Sequence, residues 1–199
     1  MLPLIYLSRH GETDWNAAYR LQGQRDIPIN ARGREQATGN GEALARLLGR
    51  AEGFDFVASP LGRTRETMER IRTAMGLDPH SYRADDRLRE VHFGDWQGRT
   101  YDELRRDGDG ALIEARSRDK WDFRPPGEEA ESYADLARRV ADWLNGVRGP
   151  SVVVAHGGVI RALFHVVGGM SGEEASRAPT PQDRLLKIEG DRIGWVPRG

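Results

Sequence analysis

Short, mostly apolar runs alternate along this chain with longer segments in which apolar residues recur at helical spacing. The runs at 4–7, 54–58 and 151–155 are bounded by polar or turn-forming residues, which predicts three buried strands. The run at 151–155 is too uniformly apolar for a strand with one exposed face. Near the end of the chain, 185–196 has the pattern of a hairpin that turns at Gly190 and Asp191.

The segments between these strands predict helices. Asn30 is a suitable N-cap for a helix through about Leu48, although Gly39 and Gly41 weaken that prediction. Ser132 is placed to cap an amphipathic helix. The remaining helical segments are 62–75, 159–167 and part of 99–122. Strands separated by helices indicate an α/β fold with a largely parallel sheet, and 199 residues correspond to a single domain, 1–199.

Residues with catalytic potential follow each of the three predicted strands. Arg9 and His10 follow the first strand, and Arg63 comes shortly after the second. His156 directly follows the third strand, with Gly157 behind it. Ligands of parallel sheets bind beyond the carboxyl ends of the strands. If these strands are neighbours, two histidines and two arginines converge on one edge of the sheet.

This combination of side chains suits phosphoryl transfer. A neutral imidazole is a competent nucleophile near neutral pH, and guanidinium groups hold the oxygens of a phosphoryl group. Glycines beside both histidines let backbone N–H groups approach an anion, and a helix that begins near Gly157 would direct its N-terminus toward the same place. We therefore predict phosphoryl transfer through a phosphohistidine.

Four sequence blocks resemble the signatures of the histidine phosphatase superfamily, the phosphoglycerate-mutase-like proteins. They occur in the family's order and span 9–161, which makes the resemblance far more specific than Arg-His-Gly alone. The resemblance implies a three-layer α/β/α fold with a mostly parallel central sheet. The blocks are RHGETDWN from Arg9, followed by LQG from Leu21 and DIPI from Asp26; SPLGRTRET from Ser59; LREVHFGDWQG from Leu88; and VAHGGVIR from Val154.

The resemblance also implies roles for individual residues in these blocks. His10 would be the nucleophile that becomes phosphorylated, and Arg9 and Arg63 would bind the phosphoryl oxygens. His156 would contact the phosphoryl group and stabilise charge in the transition state. Glu90 would protonate the leaving alkoxide and then act as the base that activates water.

Four further positions would complete the phosphate pocket, namely Asn16, Gln22, Gly23 and the backbone of Gly157. Taken alone, Asn16 has the pattern of a turn or capping residue. Chemistry alone does not single out Glu90, which is preferred because it lies in the matching block. The competing acids nearby are Asp85, Asp86 and Asp95.

A basic segment between the third and fourth blocks has two interpretations. Its cations would ordinarily form a solvated face, whereas members of the family carry substrate-recognition elements in this region. The residues concerned are Arg116, Arg118, Lys120 and Arg124. The role of 116–131 stays open at this point.

Length and loop sequence favour the phosphatase branch of the family over the mutase branch. The family's cofactor-dependent mutases are longer and carry a basic insertion after the glutamate block, and the stretches at 19–23 and 125–127 resemble the phosphatases more. The sequence at 128–130 departs from the family's usual Gly-Glu-Ser continuation. We predict a phosphomonoester hydrolase acting on a small phosphorylated metabolite. The alternatives are a 2,3-bisphosphoglycerate-dependent phosphoglycerate mutase and a non-catalytic phospho-ligand binding protein.

Composition and charge narrow the remaining classes. The 30 basic residues, of which only Lys120 and Lys187 are lysines, are offset by 31 acidic residues, so a nucleic-acid binder is disfavoured. No run approaches the roughly 18 apolar residues of a spanning helix, and the N-terminus lacks the basic start of a signal peptide. We therefore predict a cytoplasmic protein without a membrane partner. With no cysteine and no metal-ligand spacing, we predict no metal. 2,3-Bisphosphoglycerate would be a cofactor only of the mutase, and the sequence carries no signal for oligomeric state.

Overall fold

The computed structural model describes residues 1–197, within which six strands form one sheet. The strands are β1 (Ile5–Arg9), β2 (Asp55–Ala58), β3 (Arg83–Ala84), β4 (Ser151–Ala155), β5 (Leu185–Glu189) and β6 (Arg192–Trp195). Their order across the sheet is β3-β2-β4-β1-β5-β6. The pairings from β3 to β1 are parallel, whereas β5 and β6 pair antiparallel at one edge. The predicted largely parallel α/β sheet is confirmed, as is the hairpin at 185–196.

Eight α-helices lie within the described residues. They are α1 (Asp14–Ala17), α2 (Ala31–Leu48), α3 (Gly62–Ala74), α4 (Tyr101–Arg106), α5 (Gly110–Arg118), α6 (Tyr133–Asn145), α7 (Gly157–Val166) and α8 (Gly172–Arg177). The side chains of Asn30 and Ser132 cap α2 and α6, as predicted. The segment 99–122 is helical in part, since it contains α4 and α5.

The central strand β4 separates two hydrophobic cores. Val152 packs in the core beneath α2 and α3, together with Met68. Val153 belongs to the core on the opposite face, beneath α6 and α7, together with Val140. This alternation follows from the two-residue period of a strand, and it explains why β4 is apolar at nearly every position. The sheet is therefore the middle layer of an α/β/α arrangement, as the resemblance implied.

Helix α2 forms despite its two glycines. Gly41 lies against α3, where a Cβ atom would be only 2.7 Å from the Ile71 carbonyl oxygen. Glycine at this position lets the two helices approach closely. Gly39 is exposed, and no atom lies within 4 Å of the place where its Cβ would be. Of the two glycines that weakened the helix prediction, Gly41 thus permits the close contact between α2 and α3, whereas Gly39 makes no such contact.

Some elements differ from the sequence-based prediction. Helix α7 begins at Gly157, directly after the N-cap residue His156, which is two residues before the apolar pattern at 159–167 but agrees with the helix start expected near Gly157. Strand β3 and helices α1 and α8 have between two and six residues. Elements of this length are too short to show a hydrophobic period, so the pattern did not predict them.

Candidate active site

The carboxyl ends of three strands bring the predicted histidines together. The His10 N–H donates to the Ala155 carbonyl oxygen at 3.0 Å, so the β1–β4 pairing continues one residue beyond β1. In the same way, the Ser59 N–H donates to the Val154 carbonyl oxygen at 3.0 Å, just beyond β2. His156 follows β4 at the start of α7. The histidines therefore lie at one edge of the sheet because β4 lies between β1 and β2.

The two histidine rings are buried and their centroids are 5.3 Å apart. Nδ1 of His10 lies 2.8 Å from the Gly11 carbonyl oxygen, which is able only to accept a hydrogen bond. The proton of neutral His10 therefore resides on Nδ1, and Nε2 carries the free lone pair. Nε2 of His156 lies 2.8 Å from Oγ of Ser59. His10 thus has the tautomer that a nucleophilic imidazole requires.

Both histidines are held in the neutral form. Burial, together with the positive charges of Arg63 and Arg9, holds the pKa of His10 well below its ordinary value of 6.5. Burial, followed by the effects of Arg63 and His10, also holds the pKa of His156 well below 6.5. At neutral pH the lone pair of His10 is therefore not blocked by a proton.

Two cations lie beside these histidines, Arg63, which is buried, and Arg9, which is half-buried with its Nε out of contact with solvent. Arg63 lies in the first turn of α3, has no exposed surface, and donates to the Gly23 carbonyl oxygen at 2.7 Å. Arg9 donates to the Thr180 carbonyl oxygen at 2.8 Å. Burial lowers the pKa of each guanidinium to about 10, and the charge of Glu90 opposes that shift. Both side chains therefore stay charged at neutral pH.

Three buried nitrogens of this site have no hydrogen-bond partner among residues 1–197. They are Nε of Arg9, Nε of Arg63 and Nδ1 of His156. Buried donors are nearly always paired, because an unpaired donor loses its hydrogen bonds to water without replacement. The two guanidinium nitrogens always carry a hydrogen, so an anion with several oxygen acceptors would satisfy them.

Glu90 lies at the N-terminus of α7. Its carboxylate oxygens accept the Gly158 N–H at 3.0 and 3.1 Å, and one of them accepts the Val91 N–H at 2.9 Å. Asp85 and Asp86, which competed with Glu90 in the sequence, instead form ion pairs with arginines of their own segment. The structure therefore brings Glu90 to the end of the sheet where the two histidines lie.

Gly157 opens α7 beside Arg9. A Cβ atom at this position would lie 3.0 Å from Oγ1 of Thr180 and 3.4 Å from Nε of Arg9. The first N–H groups of a helix have no partners within the helix, and they favour a bound anion. Glycine therefore leaves the space in which an anion would meet both the helix N-terminus and Arg9.

The other predicted phosphate-pocket residues have structural contacts in this site. Oδ1 of Asn16 accepts the Thr13 N–H at 3.3 Å, in a capping box at the start of α1. Gln22 is buried and donates from Nε2 to Oγ1 of Thr13, while its Oε1 has no partner within 1–197. Gly23 supplies the carbonyl oxygen that holds Arg63. Contact of these three residues with phosphate stays a prediction.

Three residues of the site were not singled out from the sequence. Ser59 contacts His156, Thr180 accepts from Arg9, and Gln182 donates from Nε2 to the His10 carbonyl oxygen at 3.1 Å. Ser59 directly follows β2, so its position offered a signal. Thr180 and Gln182 come from an irregular segment more than 170 residues after β1, which carries no periodic pattern.

The described part of the chain gathers no set of three or more His, Asp or Glu side chains that would hold a metal ion. No helix in residues 1–197 has the length and apolar composition needed to cross a membrane. Independence from metal stays a prediction, which excess chelator tests.

The three-layer α/β/α fold, with histidines and arginines at the carboxyl edge of its sheet, defines an enzyme of the phosphoglycerate-mutase-like class. Residues 5–198 match the model of the histidine phosphatase superfamily, branch 1. The chain belongs to this superfamily, as its four sequence blocks implied.

Relatives that are named for different activities resemble this chain to a similar degree. Glucosyl-3-phosphoglycerate phosphatase of Mycobacterium tuberculosis is 35% identical over 170 residues, which cover 80% of this chain and 72% of the relative. A probable phosphoglycerate mutase, GpmB, of Salmonella paratyphi C is 34% identical over 203 residues, covering 98% and 88%. The structure of a mycobacterial glucosyl-3-phosphoglycerate phosphatase in complex with VO3 is 31% identical, with a TM-score of 0.73 and coverage of 98% and 96%.

Proposed function

We propose that this protein is a metal-independent phosphomonoesterase that hydrolyses a small phosphate ester through a phosphohistidine on His10. The observation that carries the proposal is a neutral His10 with a free Nε2 beside unpaired buried nitrogens of Arg9, Arg63 and His156. A mycobacterial relative was solved in complex with VO3, an oxyanion comparable to a phosphoryl group, and this supports an anion-binding role for this fold.

The first step transfers the phosphoryl group to the enzyme. Nε2 of His10 attacks phosphorus, so a P–N bond forms while the P–O bond to the alcohol breaks. Arg9, Arg63 and His156 hold the non-bridging oxygens and stabilise their charge. Glu90 gives its proton to the leaving oxygen, so the product leaves as a neutral alcohol rather than as a basic alkoxide.

The second step returns the enzyme to its starting state. The Glu90 carboxylate takes a proton from water while the water oxygen attacks phosphorus. The P–N bond breaks, inorganic phosphate leaves, and His10 regains its lone pair on Nε2. The hydrogen bond from Nδ1 to the Gly11 carbonyl oxygen keeps the ring in one orientation through both steps.

In this proposal the remaining predicted residues support the phosphate pocket. The backbone N–H of Gly157 contributes to anion binding at the start of α7. Gly23 fixes Arg63 through its carbonyl oxygen, and Asn16 and Gln22 shape the loop that contains Thr13. The reaction needs no cofactor, and its partner is a small phosphate ester.

A phosphoglycerate mutase is the second candidate, because GpmB matches nearly the whole chain. A mutase would use the same phosphohistidine but return the phosphoryl group to a second alcohol instead of water. It would also need 2,3-bisphosphoglycerate to phosphorylate His10. Isomerisation of phosphoglycerate that depends on added bisphosphoglycerate would favour this candidate over the hydrolase.

The test is hydrolysis of an aryl phosphate in excess chelator by the wild type, His10→Ala and His80→Ala. His80 is the matched control, because it is exposed and lies in the loop before β3. We expect activity in chelator for the wild type and His80→Ala, and none above background for His10→Ala. Full activity of His10→Ala would overturn the phosphohistidine, and loss of wild-type activity in chelator would overturn metal independence.

A further inference from the structure

Three cations that lie close to one another form no ion pair with any residue in 1–197, and the charge of one of them, Arg161, interacts with that of Glu90. Arg116 is buried on α5, Lys120 is half-buried just after that helix, and Arg161 is half-buried in the second turn of α7. We call Arg116, Lys120 and Arg161 the basic cluster. Partly buried cations are unfavourable in a folded protein unless an anion compensates them, so three cations at one place, none of them in an ion pair, favour a bound anion.

The basic cluster is arranged around two tyrosines. Nη1 of Arg161 lies 3.1 Å from the Tyr133 hydroxyl, and Nζ of Lys120 lies 5.8 Å from the centre of the Tyr133 ring. The guanidinium carbon of Arg116 lies 5.7 Å from the centre of the Tyr101 ring. Aromatic rings partly stabilise such cations, but they supply no hydrogen-bond acceptor for the N–H groups.

Most N–H donors of the basic cluster are unused. Within 1–197, Arg116 makes no hydrogen bond, although only 9% of its surface is exposed. Lys120 donates once, to the Ser176 carbonyl oxygen at 2.7 Å. Arg161 uses Nε and Nη1, which leaves Nη2 without a partner in the described residues. The cluster therefore offers several donors to an anion.

The cations of the cluster also repel one another. Burial, followed by the charges of Arg161, Arg116 and Arg177, lowers the pKa of Lys120 to about 7. An anion bound among these side chains would offset the repulsion and favour protonated Lys120. The repulsion among these cations and their unused N–H donors thus both indicate an anion as the partner.

The basic cluster lies on the side of the site where the leaving alcohol departs. Arg161 follows Gly158, whose N–H binds the Glu90 carboxylate, by less than one helical turn. The charge of Arg161 interacts with those of Glu90 and Arg9. Since Glu90 protonates the leaving oxygen in the proposed mechanism, the alcohol part of the substrate extends past Glu90 toward the cluster.

We propose that the basic cluster is a second anion subsite, so the substrate is a phosphate monoester whose alcohol part carries a second anionic group. This inference rests on the proposed function, because Glu90 identifies the leaving-group side. A carboxylate and a second phosphate share the required chemistry, since each accepts several charge-assisted hydrogen bonds. Monoesters of neutral alcohols would use only the phosphoryl pocket.

The wild-type enzyme provides the first test. Short carboxyalkyl phosphates and alkanediol bisphosphates of increasing length are each compared with the alkyl phosphate of equal length. We expect kcat/KM to be about ten-fold or more higher for at least one of the two series with an anionic tail, mainly through a lower KM. The preferred series shows whether a carboxylate or a phosphate occupies the subsite. No preference in either series would overturn the proposal.

Variants then assign the preference to the cluster. Arg116→Gln and Lys120→Gln are expected to raise KM for the preferred substrate about ten-fold, with kcat/KM for the alkyl phosphate within about two-fold of wild type. Arg116→Lys should retain part of the preference, because it keeps the charge. Arg118→Gln is the matched control, since Arg118 is exposed on the same helix. Equal losses on both substrates would contradict the subsite.

A binding measurement separates failure of this inference from failure of the proposed function. Carboxyalkyl phosphonates and alkyl phosphonates of equal length are titrated by calorimetry, because neither is hydrolysed. Tighter binding of the carboxylated compound, lost in Arg116→Gln, would support the subsite even if no ester were hydrolysed. Equal binding beside normal His10-dependent hydrolysis would overturn the subsite and leave the phosphomonoesterase standing.

Discussion

At Gly158, the first turn of α7 passes so close to Glu90 that no side chain fits. A Cβ atom there would lie 2.1 Å from Oε1 of Glu90 and 2.9 Å from Cδ2 of Leu136. We expect Gly158→Ala to displace the carboxylate and lower kcat/KM on an alkyl phosphate about 100-fold, since a shift of about 1 Å in a catalytic group costs roughly that much. Steady-state kinetics of the purified variant measures this.

A comparison of two leaving groups distinguishes displacement of the proton donor from a general loss of active-site structure. para-Nitrophenolate leaves without much help from an acid, so we expect a much smaller loss of kcat/KM, which depends only on the first step, on para-nitrophenyl phosphate. Gly39→Ala, at an exposed position with open space around it, should leave both rates unchanged. Equal losses of Gly158→Ala on both esters would contradict the assignment of Glu90 as proton donor.

Single residues differ in how far the sequence could predict them. His10 and His156 directly follow apolar strands, so pattern and chemistry together placed them. Glu90 follows no strand, and the resemblance alone separated it from its neighbouring acids. Gln182 had no signal, because its contact with the His10 carbonyl oxygen depends on how a distant irregular segment packs.

At the scale of elements, the two glycines of α2 give opposite predictions. Gly39→Ala should raise the free energy of unfolding by about 0.5–1 kcal/mol, because alanine favours the helix and meets no atom within 4 Å. Gly41→Ala should lower it, because the new Cβ would lie 2.7 Å from the Ile71 carbonyl oxygen and 2.8 Å from Cβ of Ala74. Urea unfolding of both variants measures the difference, and the same sign at both positions would contradict the close packing of α2 on α3.

The sequence predicted long elements well because their periodicity reports burial directly. Strand β4 and helix α6 illustrate this, since each has its apolar residues where the core requires them. The apolar pattern alone placed the start of α7 two residues late, because it marks the first apolar residue, Val159, rather than the glycines before it. Glycine at 157 and 158 leaves space beside Arg9 and Glu90, a requirement of the site that a hydrophobic pattern does not show.

At the scale of the whole molecule, the neutral buried histidines predict a loss of stability in acid. The folded-state pKa values of His10 and His156 are lowered, so below pH 6.5 the unfolded chain binds protons that the folded chain does not. Each histidine therefore removes up to about 1.4 kcal/mol of stability per pH unit as the pH falls from about 6.5 toward its folded-state pKa. Above about pH 6.5 this contribution to the pH dependence vanishes.

The free energy of unfolding, measured with denaturant between about pH 7 and 5, shows whether stability falls in acid and whether the two histidines cause the fall. We expect His10→Asn and His156→Asn each to show a shallower loss of stability in acid than the wild type. His80→Asn, at an exposed position, should follow the wild-type profile. A wild-type slope in both buried-histidine variants would contradict the neutral state of these rings.

Nearly all basic residues of the chain are arginines, and the structure separates those that form ion pairs from those that lie beside the histidines. Arg20 forms an ion pair with Glu103, and Arg124 forms one with Asp135. The positive charge of each is therefore neutralised locally and does not attract a polyanion such as a nucleic acid. By contrast, Arg9 and Arg63 at the sheet edge each have a buried Nε without a hydrogen-bond partner in the described residues. The composition could reveal the excess of arginine, but only the folded structure separates paired cations from those that lie beside the histidines.

The phosphohistidine is the central claim, and mass spectrometry of enzyme quenched during turnover tests it most directly. The enzyme is mixed with a fast aryl phosphate, quenched in alkali to preserve a P–N bond, and digested. We predict one phosphoryl group on the peptide that contains His10, absent from His10→Ala and from enzyme quenched after the substrate is exhausted. Turnover at the wild-type rate with no phosphate on His10 at any quench time, or with phosphate only on another residue, would contradict it.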